Sequence, residues 1–261
     1  MKSRTVGIVG YGHVGRSMQM LFPSAQIYDP FVSGHQNRDA VQGTDVAFVC
    51  VPTPTADVGG ADVTVVDEVV SWLDSDIIVI KSTVPPGTTD QLARKHSKVL
   101  VFSPEYIGEG VSFTNGTLTA QNWPFVIAGG DAGPAELVLD LHARVLGASK
   151  TYRQTSAIAA ELCKYMENTW LALQVVFASE FQNLAKATGV PFWELRDLWG
   201  LDPRVSTAHT VVTVDEQGFG GRCLPKDTEA ITAFAERAGV SVPLLRAIRQ
   251  ANEHQRLRGK P

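Results

Sequence analysis

Val6-Gly7-Ile8-Val9-Gly10-Tyr11-Gly12-His13-Val14-Gly15 is the stretch on which the fold turns. A short strand pattern runs straight into glycines spaced G-x-G-x-x-G, and a helical pattern opens at His13. The first glycine permits a tight turn, the second lets backbone come close to a pyrophosphate, and the third allows close helix–strand packing. The amide groups that start the helix, with its dipole, favour an anion there. The motif alone is common. Here it sits between a strand and a helix, and Asp29 follows about 20 residues on, at the end of a second strand pattern. Asp29 can accept hydrogen bonds from both ribose hydroxyls and would repel a 2′-phosphate. No Arg or Lys follows it in Asp29-Pro30-Phe31, so the expected cofactor is NAD rather than NADP.

Outward from this turn, short apolar runs alternate with helical stretches. Strands are expected at 5–9, 26–28, 46–51, 77–80, 99–102 and 125–128, and helices at 13–21, 65–73, 89–96 and 134–146. Such alternation implies a parallel sheet covered on both faces. Residues 1–152 are read as one doubly wound, Rossmann-type α/β domain. The pattern then changes. Residues 156–188 form one long helical run without internal Gly or Pro, ended by Gly189 and Pro191. At 1.5 Å per residue it would span about 50 Å, the length of a spine or of a surface for a second subunit. Helices at 191–199, 226–238 and 242–258 follow, around an irregular glycine-rich segment. Residues 153–261 are therefore read as a small helical domain, dimeric through the 156–188 helix.

Composition narrows the function. Apolar residues make up 44% and charged residues 19% of 261, with a net charge of −4, which gives no reason to expect nucleic-acid binding. No window offers the roughly 18 apolar residues of a membrane span, and no signal-peptide pattern opens the chain. Cys50, Cys163 and Cys223 are odd in number and scattered, so neither a disulfide framework nor a metal pattern appears. A cytoplasmic enzyme is expected.

Gly218-Phe-Gly-Gly-Arg-Cys223-Leu-Pro-Lys226-Asp227 is the most informative segment for chemistry. Its glycines make backbone that a ligand can approach. Cys223 precedes a helix start, with Lys226 nearby, a setting that favours thiolate; Cys50 and Cys163 lie in apolar patterns and read as core. On the long helix, Glu161, Lys164 and Asn168 share a face, and a polar stripe on a largely apolar helix needs partners that a substrate can supply. Ser82-Thr83-Val84-Pro85-Pro86-Gly87-Thr88-Thr89 and Ser103-Pro104-Glu105-Tyr106-Ile107-Gly108-Glu109-Gly110 each follow a strand at the carboxyl edge, where doubly wound sheets bind ligands.

These segments, with Cys-Val-Pro-Thr-Pro at 50–54, Asp202-Pro203-Arg204 and Asn252-Glu253, resemble the UDP-glucose/GDP-mannose dehydrogenases. The resemblance implies a four-electron oxidation of a nucleotide sugar's C6 alcohol to the carboxylate, using two NAD. It places Gly10, Tyr11, Gly12, His13, Val14, Gly15, Asp29, Pro52, Thr53, Thr83 and Glu109 at the cofactor, and Glu105, Lys164, Asn168, Arg204 and Gly220 at the substrate. Thr83 and Asp227 would hold a water that takes the alcohol proton, and Lys164 and Asn168 would stabilise the oxyanion. Cys223 would attack the aldehyde, Lys226 would support the thiolate, and Glu105 would orient the hydrolytic water. Relative to that family the chain is expected to lack the second nucleotide-binding domain. It also carries Ser179 where an Asn is usual and Gly108 where an Arg is common. Two other readings share part of the pattern: a two-electron β-hydroxyacid dehydrogenase, which needs no cysteine loop, and a non-catalytic nucleotide-sugar-binding module, which needs no nucleophile.

Overall fold

The computed structural model describes residues 4–56, 59–106, 121–212 and 217–258. It divides into two compact units: the first holds the described residues up to Lys164, the second those from Tyr165. The first unit carries β1 (Val6–Val9), α1 (His13–Leu21), β2 (Gln26–Tyr28), β3 (Thr44–Val49), α2 (Thr64–Trp72), β4 (Ser75–Ile80), α3 (Thr88–His96), β5 (Leu100–Phe102), β6 (Phe125–Gly129), α4 (Ala132–Leu146) and β7 (Thr151–Thr155). The strands lie in a seven-stranded sheet, ordered β2-β1-β3-β4-β5-β6-β7.

Strand alternation explains why the sheet is covered on both faces. Ile8, Phe48, Val79 and Val101 pack with Met18 and Leu21 of α1 and Val138 of α4. Their chain neighbours Val9, Ala47, Val49, Ile78 and Ile80 pack with Val66, Val69 and Val70 of α2 and Leu92 of α3. A strand buried on both sides reads as a continuous apolar run, as β3 and β4 do. Each large side chain buried in this way contributes about 1.5–3 kcal/mol.

The sheet is mostly parallel, as expected, with one antiparallel pair that the sequence did not announce. β1 to β5 are mutually parallel, but β6 meets β5 antiparallel through the pair Phe102↔Gly129, and β7 runs parallel to β6. The unit β6-α4-β7 is thus a second parallel β-α-β element attached in reverse. β7 itself went unread, because Thr-Tyr-Arg-Gln-Thr on a largely exposed edge has no apolar face to announce it.

Within the first group of core residues His142 is 2% exposed, donates from Nδ1 to the Val138 carbonyl (2.8 Å), and meets the Phe22 and Phe48 rings edge-on. Burial, reinforced by the charge of Lys81, pulls its pKa down to about 3. An unfolded histidine takes up a proton near pH 6.5, whereas this one does not until about pH 3. Its contribution is therefore full above pH 6.5 and is lost as pH falls towards 3. Urea midpoints should show the parent losing about 2–3 kcal/mol more between pH 7 and pH 4 than His142→Leu does. Equal losses would mean that the imidazole is protonated in the fold.

α5 (Ala157–Thr188) is 32 residues long and runs from the first unit into the second. It stops at Gly189, whose φ of +73° suits glycine, with the Val190 amide donating to the Ala185 carbonyl (2.9 Å). α6 (Phe192–Trp199), α7 (Leu224–Arg237) and α8 (Pro243–Arg258) complete the second unit. Its core is Ala172 and Val176 of α5 with Phe219 and Ile248, bordered by Leu224 and Leu245. Among the described residues no helix is long and apolar enough to cross a membrane.

Candidate active site

The carboxyl ends of β1 to β5 place the first set of residues. Strand order reverses its direction at β1 and β3, the switch point at which such sheets leave a crevice for ligands. Gly10 has φ +90°, and a Cβ there would lie 2.7 Å from the Cys50 carbonyl oxygen. A Cβ at Gly15 would fall on the Gly10 carbonyl, so these two glycines are required by the chain's own packing. Gly12 differs: no protein atom lies within 4 Å of where its Cβ would be. Glycine there serves something other than the fold, and close approach of a phosphate is the reason the motif offers. Gly12 also caps α1 without a side-chain bond, and no acidic residue occupies the first turn. The donors present fit a dinucleotide pyrophosphate.

Asp29 completes this half. Its Oδ2 accepts from the Tyr11 amide (2.7 Å) and its Oδ1 from the Phe31 amide (2.9 Å), which fixes a half-buried carboxylate against the glycine turn. Each oxygen keeps acceptor capacity for a ribose hydroxyl. Tyr11 donates its hydroxyl to Gln19 and stacks edge-on with His35. His13 is exposed, and Val14 packs against the core. Pro52 is exposed, whereas Thr53 is buried and donates to the Thr83 carbonyl (2.9 Å), tying the β3 and β4 loops together. Glu109 lies outside the described residues.

Beyond β5, Glu105 Oε1 accepts from the Tyr106 amide (2.7 Å), and its Oε2 is 4.0 Å from the Lys81 ammonium. Lys164 of α5 is 9% exposed, with its ammonium 4.6 Å from the centre of the Tyr106 ring. The first unit therefore brings Lys164 and the Glu105-Tyr106 segment together. Lys81 was not singled out from sequence. A lysine directly after the buried run Ile77-Ile78-Val79-Ile80 was a usable signal, since lysine is almost never buried without a partner.

Two expectations about α5 are corrected. Glu161 does not await a substrate: its oxygens accept from the Gly87 amide (2.5 Å) and from the Thr89 amide and hydroxyl (2.9 and 2.7 Å), capping α3. Cys163 is exposed rather than part of the core, with its sulfur 3.8 Å from the Tyr106 hydroxyl. Cys50 behaves as read. Its thiol is pushed up to about 12 by burial, partly offset by Lys81 and reinforced by Glu105, which makes it inert as a nucleophile.

The second unit gathers another set. Cys223 is exposed and precedes α7, and the Asp227 amide donates to its carbonyl (2.9 Å). Asp227 is 1% exposed; it accepts from Asn168 Nδ2 (2.5 Å) and pairs with Lys226 Nζ (2.5 Å). The carboxylate decides which end of the Asn168 amide faces it, and so fixes the amide's orientation. The Lys226 charge is answered by Asp227 rather than directed at the thiol alone. Arg204 is 88% exposed and forks onto its own Asp202 (2.6 Å), holding that carboxyl below the usual range.

The cysteine loop is held by residues that sequence spacing did not reveal. Ser179 Oγ accepts from the Gly218 amide (3.1 Å), Asn252 Oδ1 from the Phe219 amide (2.6 Å), and Arg256 donates to the Phe219 carbonyl (3.1 Å). Gly220 lies under the Arg256 guanidinium, where a Cβ would collide with it. A side chain at residue 220 would therefore displace the Arg256 guanidinium from the loop.

A parallel α/β sheet with a glycine turn at its switch point, followed by a helical unit bearing a cysteine loop, defines a dinucleotide-binding dehydrogenase architecture. Residues 29–144 match the NAD binding domain of the UDP-glucose/GDP-mannose dehydrogenase family, and residues 158–254 match its central domain. The chain belongs to this family. UDP-glucose 6-dehydrogenase TuaD of Bacillus subtilis is 29% identical over 236 residues, 84% of this chain and 48% of that protein. A UDP-N-acetyl-D-mannosamine dehydrogenase of Methanocaldococcus jannaschii is 30% identical over 221 residues, 80% of this chain and 48% of that protein. The structure of a UDP-glucose dehydrogenase from the hyperthermophilic archaeon Pyrobaculum islandicum superposes with a TM-score of 0.81 at 26% identity, over 97% of this chain and 68% of that one. The chain spans about half the length of the curated relatives it matches.

Proposed function

We propose that the protein oxidises the C6 alcohol of a nucleotide sugar, UDP-glucose in the first instance, to the carboxylate. The observation that carries this is the hydrogen-bonded cluster that Asn168 of α5 makes with Lys226 and Asp227, which stand on the first turn of the helix that Cys223 opens. A two-electron alcohol dehydrogenase has no use for a nucleophile placed in this way. Bound NAD supplies the hydride acceptor, one molecule for each oxidation.

The chain's own residues do the rest. Thr83 and Asp227 hold the water that takes the alcohol proton. Lys164 and Asn168 stabilise the negative charge that develops on oxygen. The Cys223 sulfur adds to the aldehyde carbon, giving a thiohemiacetal; loss of a second hydride leaves a thioester on sulfur. Water held by Glu105 then adds to the acyl carbon, the C–S bond breaks, and the acid departs. Arg204 reaches the substrate of a second copy in a dimer built on α5, a role supported by its exposed guanidinium and by exposed Trp170, Phe177, Phe181 and Leu184 on that helix.

Purified protein mixed with NAD and UDP-glucose is expected to release two NADH per uronic acid, counted by absorbance and by mass spectrometry of the sugar. One NADH per aldehyde would point to two-electron chemistry. NAD binding with no NADH from any nucleotide sugar would overturn catalysis altogether.

A further inference from the structure

Lys81 takes no part in the chemistry above, yet it is built into the sheet at high cost. It leaves β4 at the carboxyl end, is 5% exposed, and its backbone amide is fixed by the Val49 carbonyl (2.9 Å). An ammonium in such a place gives up most of its hydration, a loss that only pairing and hydrogen bonds offset. Its Nζ lies 3.3 Å from the Pro104 carbonyl, 3.5 Å from Ser103 Oγ and 4.0 Å from Glu105 Oε2. All three belong to consecutive residues of the segment that carries Glu105. The same ammonium lines a small cavity with Glu105, Tyr106, Trp123 and His142.

The other titratable groups that feel Lys81 do not neutralise it. Cys50 stays a thiol, its pKa raised to about 12 by burial, and His142 stays a neutral imidazole, its pKa lowered to about 3 by burial. Lys164 faces the Tyr106 ring. Among these groups the anionic partner is Glu105. Its carboxylate is gripped from two directions, Oε1 by the Tyr106 amide and Oε2 towards Lys81.

We propose that Lys81 is a positioning residue for the hydrolytic step, holding the Ser103-Pro104-Glu105 segment so that the Glu105 carboxylate faces the water that cleaves the thioester. This rests on the function proposed above. In that step the water oxygen bonds to the acyl carbon, one water proton passes to Glu105, the C–S bond breaks, and its electron pair returns to the Cys223 sulfur. Neither hydride transfer needs Glu105 in this role, so loss of Lys81 falls on one step only.

The test is a set of four proteins: the parent, Lys81→Met, Glu105→Gln and the double variant, each mixed rapidly with NAD and UDP-glucose. NADH bursts are followed by absorbance and the covalent adduct on Cys223 by intact mass. Lys81→Met is expected to keep a burst of two NADH per site at the parent's rate while adduct decay slows about tenfold or more. In the Glu105→Gln background the same change should alter decay less than about twofold, because both act through one carboxylate. Should the methionine variant not fold, Lys81→Gln carries the same comparison. Equal slowing of burst and decay, or a full Lys81 effect without Glu105, would overturn the positioning role and leave Lys81 as scaffold. A parent that forms no NADH removes the proposed function itself and this role with it; a parent that turns over beside an unaffected variant removes the role alone.

Discussion

Cys223→Ser is expected to bind NAD like the parent and to lower uronic acid release by at least about 10³-fold. Cys223 lies just before α7, exposed, while the residues fitted to the dinucleotide lie at the ends of the sheet strands. A hydroxyl in place of the thiol leaves Asp227, Lys226 and Asn168 in their hydrogen-bonded cluster, so the fold is expected to persist. What is lost is a sulfur that adds readily to an aldehyde and later departs from an acyl carbon. The variant should therefore halt after the first oxidation, and acid quench followed by intact mass should show an adduct on the parent and none on the variant. Acid release within tenfold of the parent would exclude the thioester route.

Glu161→Ala should cause the largest loss of stability among single changes in the described α5 residues that bear on the site. Its side chain is 0% exposed and accepts three hydrogen bonds at the start of α3, from Gly87 and twice from Thr89. Burial raises its pKa against the pull of those bonds, so the carboxyl stays in place only while its partners surround it. Removal strands three donors, which at about 1–3 kcal/mol each, less what water recovers, amounts to about 3–5 kcal/mol. For a chain of this size that lowers the melting temperature by about 10 °C. Scanning calorimetry decides it, and an unchanged melting temperature would show that α3 needs no cap from α5.

Glu161 also shows where sequence reading stopped. Helical spacing placed it beside Lys164 and Asn168, and that was correct as geometry. It could not say what lies opposite, because Gly87 and Thr89 are over seventy residues away in the chain. The same limit hid the partners of Lys81, which come from another strand's loop, and those of Ser179, Asn252 and Arg256, which meet the cysteine loop from two helices. By contrast the glycine turn, the strands up to β6 and the helices were legible within a few residues, since apolar period and turn chemistry are local properties. The reversed direction of β6 was not legible, because a strand's residues carry no mark of which way it runs beside its neighbour. Cys163 was misplaced for a related reason: a helix rich in apolar residues gives no phase for its covered side.

Asn252 and Arg256 of α8 both tie the cysteine loop, through the backbone of Phe219. A polypeptide cut at residue 242 would retain every group assigned to the chemistry and still lose what sets the sulfur's position. By the same ties, a shift of α8 is expected to move Phe219, which stands four residues from Cys223.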